Sequence, residues 1–166
     1  MNPQWFGDSF DIVKRFFVEN LKEIGYRVVV DPMLTGEWNG LEHGFYRFLK
    51  AYPLTEKSSS KSALLLDPDT GIGKKKSKQH ATIKCIADHL LHHDIVFSFD
   101  QSFSRGGSAS GKIREKLVLL QKTGNYGFYY DSHARFLFAA KSIRALSEVE
   151  QRLLASGLPA NRLVKA

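Results

Sequence analysis

Apolar residues recur along this chain in two alternating patterns. Helical spacing appears over 10–24, where Ile12, Val13, Phe16, Phe17, Leu21 and Ile24 share one face, with Asp8 or Ser9 as N-cap and Gly25 as the stop. It returns over 41–52, 77–91, 112–123 and 142–155. Between these stretches lie short apolar or β-branched runs at 26–30, 63–66, 95–99, 126–130 and 135–140. Runs such as Ala63-Leu64-Leu65-Leu66 show no polar alternation, as expected of strands covered on both faces. Gln4, Trp5 and Phe6 fit a further short strand or an apolar arm. Strands alternating with helices predict an α/β fold: a doubly wound, mostly parallel sheet, with the last two runs forming an antiparallel C-terminal edge hairpin around Asp131-Ser132-His133-Ala134.

The connecting segments are polar. Residues 56–61 form a Ser/Lys-rich loop, and 104–111 have the Gly/Ser composition of a flexible loop beside a site. Neither divides the chain, because the parts on either side of 56–61 are too short to fold alone, and 166 residues form a single α/β domain.

Composition narrows the function. No apolar run approaches the ~20 residues of a bilayer span, so no membrane partner is expected. Met-Asn-Pro-Gln-Trp lacks a basic segment followed by an apolar one, so no secretory signal is expected. The single cysteine, Cys85, has no disulfide partner in the chain and reads as a small buried apolar residue, which fits a cytoplasmic setting. A formal charge of +7 favours phosphate-rich partners, nucleic acid foremost. The oligomeric state is left open.

Four strand ends carry the candidate chemistry. They read Val-Val-Val-Asp31, Leu-Leu-Leu-Asp67, Phe-Ser-Phe-Asp100 and Phe-Tyr-Tyr-Asp131. Carboxylates at the ends of neighbouring parallel strands, about 4.8 Å apart, can share a hard cation such as Mg or Mn. Asp67, Asp69 and Asp100 are the candidate metal ligands, with Asp8 and Asp11 assisting. Such an ion would activate water against a phosphodiester. Lys74, Lys75, Lys76 and Lys78, together with Lys14 and Arg105, are the candidate phosphate contacts, and Ser102 and His133 are further catalytic candidates. Aspartate after a strand also bonds the backbone of its own turn, and that reading is preferred for Asp31 and Asp131. Asp8 as a helix cap and Lys14 as a solvated helix residue are the corresponding structural readings at the N-terminal helix. His89, His92 and His93 at a helix end lack a fourth ligand at suitable spacing, and Trp38 and Tyr46 read as core residues rather than base-stacking ones.

Gly7-Asp8-Ser9-Phe10-Asp11-Ile12-Val13-Lys14, the strand to Asp31 and Leu66-Asp67-Pro68-Asp69 together resemble a shortened Rossmann-like RNA adenine-N6 methyltransferase. That family opens on an Asp-Val-Leu-Lys helix and later carries Asp-Pro-Pro-Tyr. The resemblance implies a Rossmann-like fold, S-adenosylmethionine at Asp31 to Gly36, and a catalytic turn at Asp67 to Thr70. Here Asp69 and Thr70 stand in place of the second proline and the aromatic residue.

Three functions are therefore expected: a metal-dependent nuclease first, with a non-catalytic module binding nucleic acid or protein and a reduced nucleic-acid methyltransferase as the alternatives.

Overall fold

A computed structural model of the chain describes residues 1–55, 61–75, 77, 79–103 and 108–165. Lys76, Lys78 and Arg105, three of the expected phosphate contacts, lie outside the described residues.

The expected α/β alternation is present. Helices α1 (Ser9–Glu23), α2 (Glu42–Leu49), α3 (Ile83–His89), α4 (Ala109–Gln121) and α5 (Ile143–Ala155) are interleaved with strands β1 (Arg27–Asp31), β2 (Tyr52–Pro53), β3 (Ser62–Leu66), β4 (Gly71–Ile72), β5 (His80–Ala81), β6 (Ile95–Phe99), β7 (Tyr126–Tyr130), β8 (Phe136–Ala140) and β9 (Leu163–Lys165). Seven strands form one mixed sheet in the order β2-β1-β3-β6-β8-β7-β9. Strands β2, β1, β3 and β6 are parallel. Strand β8 is antiparallel to β6 and β7 is antiparallel to β8, so β7 points the same way as the parallel set. The ends of β1, β3, β6 and β7, each with its aspartate, therefore lie at one edge of the sheet.

Sheet alternation splits the core in two. Val28, Val30, Ala63, Leu65, Phe97 and Phe138 pack with α1, α2 and α5 residues such as Phe17, Phe45 and Val149. Val29, Leu64, Leu66, Val96, Leu137 and Ala139 face the other way, against Ile86 of α3 and Ile113, Leu117 and Leu120 of α4. Strand β3 is buried at every position, as its unbroken apolar run requires.

Several expected elements shift, each for a local reason. Residues 3–5 form a single 3₁₀ turn rather than a strand, capped by the Asn2 side chain with Pro3 at its first position. Helix α2 stops at Leu49, because Lys50 takes a left-handed conformation, and Tyr52–Pro53 then pairs as the edge strand, where a proline is tolerated. Helix α3 starts only at Ile83: the Thr82 hydroxyl accepts from Cys85 N–H at 3.1 Å, and His80–Ala81 forms a small parallel ladder with Gly71–Ile72. The hairpin β7–β8 is antiparallel as expected, but it is not the sheet edge. Strand β8 inserts between β6 and β7, and β9, near the C-terminus, covers β7.

Candidate functional site

Two charged centres are built at the carboxyl edge, and strand parity places them on opposite faces of the sheet. Leu66 pairs with Ser98, so Asp67 continues the face of Ala63 and Leu65, whereas Asp100 continues the face of Val96 and Ser98. Neighbouring strand ends thus aim their carboxylates apart, and the two acids do not meet.

The first centre lies under α1. Asp8 caps the helix by accepting from the N–H groups of Phe10 and Asp11 at 2.8 and 3.0 Å, the capping role expected for it. One turn on, Lys14 is buried and its Nζ lies 2.8 Å from both Asp11 Oδ1 and Asp67 Oδ2. Lys14 is therefore neither solvated nor open to a phosphate. Burial pulls its pKa down, but Asp67 and Asp11 outweigh that and hold it above the usual lysine value. Burial pushes the Asp67 carboxyl up, against the opposing pull of Lys14. Asp69 pairs with the Met1 ammonium at 2.7 Å and accepts from the Thr35 hydroxyl. The same ammonium donates to the carbonyls of Pro32 and Met33 at 2.9 Å, and Trp38 Nε1 donates to Met1 O at 3.3 Å. Trp38 is thus a core residue, and the segment that the resemblance assigns to a cofactor packs against the N-terminal residues. Asp31 accepts from its own turn at Met33 N–H (3.0 Å), and Asp131 pairs with Arg135 at 2.7 Å.

The second centre faces α3 and α4. Asp100 is fully buried within a ring of donors: Ile72 N–H at 2.9 Å and Ser102 N–H at 3.1 Å on Oδ1, Lys116 Nζ at 2.5 Å and Tyr129 OH at 2.7 Å on Oδ2. Ser102 Oγ lies 2.7 Å from both Asp100 Oδ1 and the Ile72 carbonyl, either of which can take its proton, and it accepts from Lys116 Nζ at 2.6 Å. With about four lone-pair positions, the carboxylate is saturated by these groups. Burial lowers the Lys116 pKa more than Asp100 raises it, and burial, reinforced by Asp100, puts the Tyr129 phenol well above the usual tyrosine value.

Gly71 makes this arrangement possible. Its φ of +96° belongs to the left-handed region, and a Cβ there would stand 2.4 Å from Asp100 Oδ1 and 2.5 Å from Gln101 N. Only glycine lets the turn after β3 cross close enough for the next N–H to reach Asp100.

Beside this centre opens a cavity of about 790 Å³ between α3 and α4. Ser102 and Lys116 stand on its wall, Ile72, Ile83 and Leu119 give it an apolar lining, and Lys74, Lys84 and Lys112 bring further positive charge. Glu115 and Asp88 offset part of that charge, pairing with Lys74 at 4.0 Å and Lys84 at 3.2 Å. Cys85 also faces the cavity and is half-buried. Lys75 is exposed. His133 is exposed over α1, stacked on Phe10 with ring centres 5.5 Å apart, and is not part of either centre.

Of the expected site residues, the fold thus joins Asp11, Lys14 and Asp67 in one centre and Asp100 with Ser102 in another. Among the described residues no group of three or more His, Cys, Asp or Glu side chains is arranged to hold a metal ion. Asp67, Asp69 and Asp100 each face a different cation, and a shared Mg or Mn does not fit that donor set. Lys116 and Tyr129 are the residues the sequence reading missed. Lys116 lies three residues after Ile113 and one before Leu117 on α4, and that adjacency alone says nothing of Asp100. No helix among the described residues is long and apolar enough to cross a membrane. Comparison with protein-family models, characterised proteins and solved structures gives no match.

Proposed function

We propose that this domain binds the phosphodiester backbone of a nucleic-acid strand at the α3–α4 cavity and hydrolyses it there. The observation that carries the reading is the convergence of Lys74, Lys84 and Lys112 on one cavity, beside the cluster of Ser102, Lys116 and buried Asp100. Several ammonium groups gathered around one cavity attract an anion more strongly than scattered surface lysines do. The overall charge of +7 supplies long-range attraction of the same sign. This reading takes the fold as Rossmann-like and doubly wound, with the ligand at the carboxyl edge of the strands, where open α/β sheets bind theirs.

The test is incubation of the purified chain with end-labelled single-stranded RNA and DNA, with and without a divalent-metal chelator. Cleavage by the wild type that survives the chelator and disappears in Asp100→Asn is the expected result. Cleavage abolished by the chelator would return the metal-dependent form of the activity. No cleavage of either strand would leave the binding module as the better account.

A further inference from the structure

We infer that Ser102 is a nucleophile and Lys116 its general base, so that hydrolysis at this cavity proceeds through a covalent Ser102 intermediate. The inference rests on the phosphodiester reading for its substrate and on geometry for its chemistry. A serine hydroxyl is a weak nucleophile unless a base lies within hydrogen-bond reach and a third group orients that base. All three parts are here: Oγ is 2.6 Å from Lys116 Nζ, and Nζ is 2.5 Å from buried Asp100, itself anchored by Tyr129 at 2.7 Å. Ser102 is half-buried and both reacting side chains line the cavity, so a ligand reaches them from one side while the sheet closes the other.

Structural roles account for less of this arrangement. Ser102 N–H already closes the turn after β6 by donating to Asp100. Lys116 needs only Asp100 to balance its charge, yet it also reaches Oγ. Burial lowers the Lys116 pKa from the usual lysine value, so less free energy is needed to free the amine for a proton.

The steps balance without an outside reagent other than water. As Oγ bonds to phosphorus, its proton passes to the uncharged Lys116 amine. The bond from phosphorus to the leaving nucleoside oxygen breaks, and that oxygen takes the proton back from the Lys116 ammonium. Water then attacks phosphorus in the Ser102–nucleotide phosphodiester so formed, with Lys116 again accepting the proton, and Ser102 Oγ leaves and recovers it. Asp100 does not change protonation; it positions the amine. Lys112 and Lys84 face the same space and would neutralise the phosphoryl oxygens.

An alkyl fluorophosphonate supplies the electrophile for the test, since its fluoride replaces the nucleoside as leaving group. Intact-mass and peptide mapping of the treated chain should show one adduct, located on Ser102 and absent in Ser102→Ala. Lys116→Arg separates the base from the ion pair: arginine keeps a charge beside Asp100 but does not give up its proton. Labelling should slow by at least about 100-fold in that variant, the lower end of general-base contributions. Lys116→Met gives the same reading without the charge. No adduct on Ser102 in the wild type, or labelling of Lys116→Arg at the wild-type rate, would overturn the inference. Oligonucleotide binding by Ser102→Ala is measured in parallel. Binding without any wild-type adduct would sink the nucleophile alone, and an adduct without binding would sink the phosphodiester substrate alone.

Discussion

Replacing Lys14 by methionine isolates the energetics of the first charged centre. The side chains have similar length, so the apolar contacts of the stem persist while the ammonium is lost. Asp11 and Asp67 are then left buried around one vacated point, each having lost a hydrogen bond of 2.8 Å. Removing one partner from a buried ion pair costs about 3–5 kcal/mol, because the remaining charge has neither water nor a counter-ion. Two carboxylates are stranded here, so the upper part of that range applies. For a domain of this size each kcal/mol moves the melting temperature by about 2–4 °C, giving an expected drop of about 10–20 °C. The loss should depend on pH. Burial already raises the Asp67 pKa, and without Lys14 it rises further, so the folded variant binds a proton more tightly than the unfolded chain. Its stability therefore increases as pH falls toward the ordinary carboxylate value, and its deficit against the wild type narrows from pH 7 to pH 4. Chemical denaturation at both pH values measures this directly. The triple variant Asp11→Asn, Lys14→Met, Asp67→Asn should recover most of the loss. A deficit below about 1 kcal/mol at pH 7, or a triple variant no more stable than Lys14→Met, would refute the reasoning.

Other parts of the fold give expectations of the same kind. Gly71→Ala forces a Cβ to within 2.4 Å of Asp100 Oδ1 in a left-handed conformation, so it should destabilise the chain by about 2–4 kcal/mol in denaturant titration and weaken ligand binding at the cavity. The Tyr129 phenol should ionise well above the usual tyrosine value in an ultraviolet titration, shown by difference against Tyr129→Phe; because the folded state holds that proton longer, its contribution to stability is lost as pH climbs above about 10. The Tyr26 hydroxyl is buried with no hydrogen-bond partner among the described residues, so Tyr26→Phe should be neutral or stabilising by up to about 1 kcal/mol.

Periodicity carried much of the fold. The apolar runs ending in Asp31, Asp67, Asp100 and Asp131 are strands that end at one edge, and the five helical stretches are helices. Boundaries moved where one residue overrode the pattern, as Thr82 did by capping α3 and Lys50 by turning left-handed. The sheet order was not legible, because the insertion of β8 between β6 and β7 depends on pairing partners far apart in sequence. The candidate site was half legible. The acids were found, but their joint use assumed that neighbouring strand ends share a face, whereas the pairing of Leu66 with Ser98 sets Asp67 and Asp100 on opposite faces. Lys14 shows the other gap: a lysine on a helix reads as solvated until the tertiary fold supplies two carboxylates beneath it. Nothing local marks Lys116, since its partners Asp100 and Ser102 come from the segment that follows β6, far from α4 in the pattern of the chain.

The salt dependence of oligonucleotide binding tests the cavity most directly. Binding of a single-stranded oligonucleotide to the wild type should weaken linearly in log K against log salt, with a slope of about −0.7 for each phosphate neutralised. Changing Lys74, Lys84 and Lys112 to glutamine, each facing the cavity, should reduce the steepness of that slope by about 2–3 while thermal stability holds. An unchanged slope and affinity in that variant, or no binding by the wild type at low salt, would contradict the assignment of this cavity to a nucleic-acid backbone.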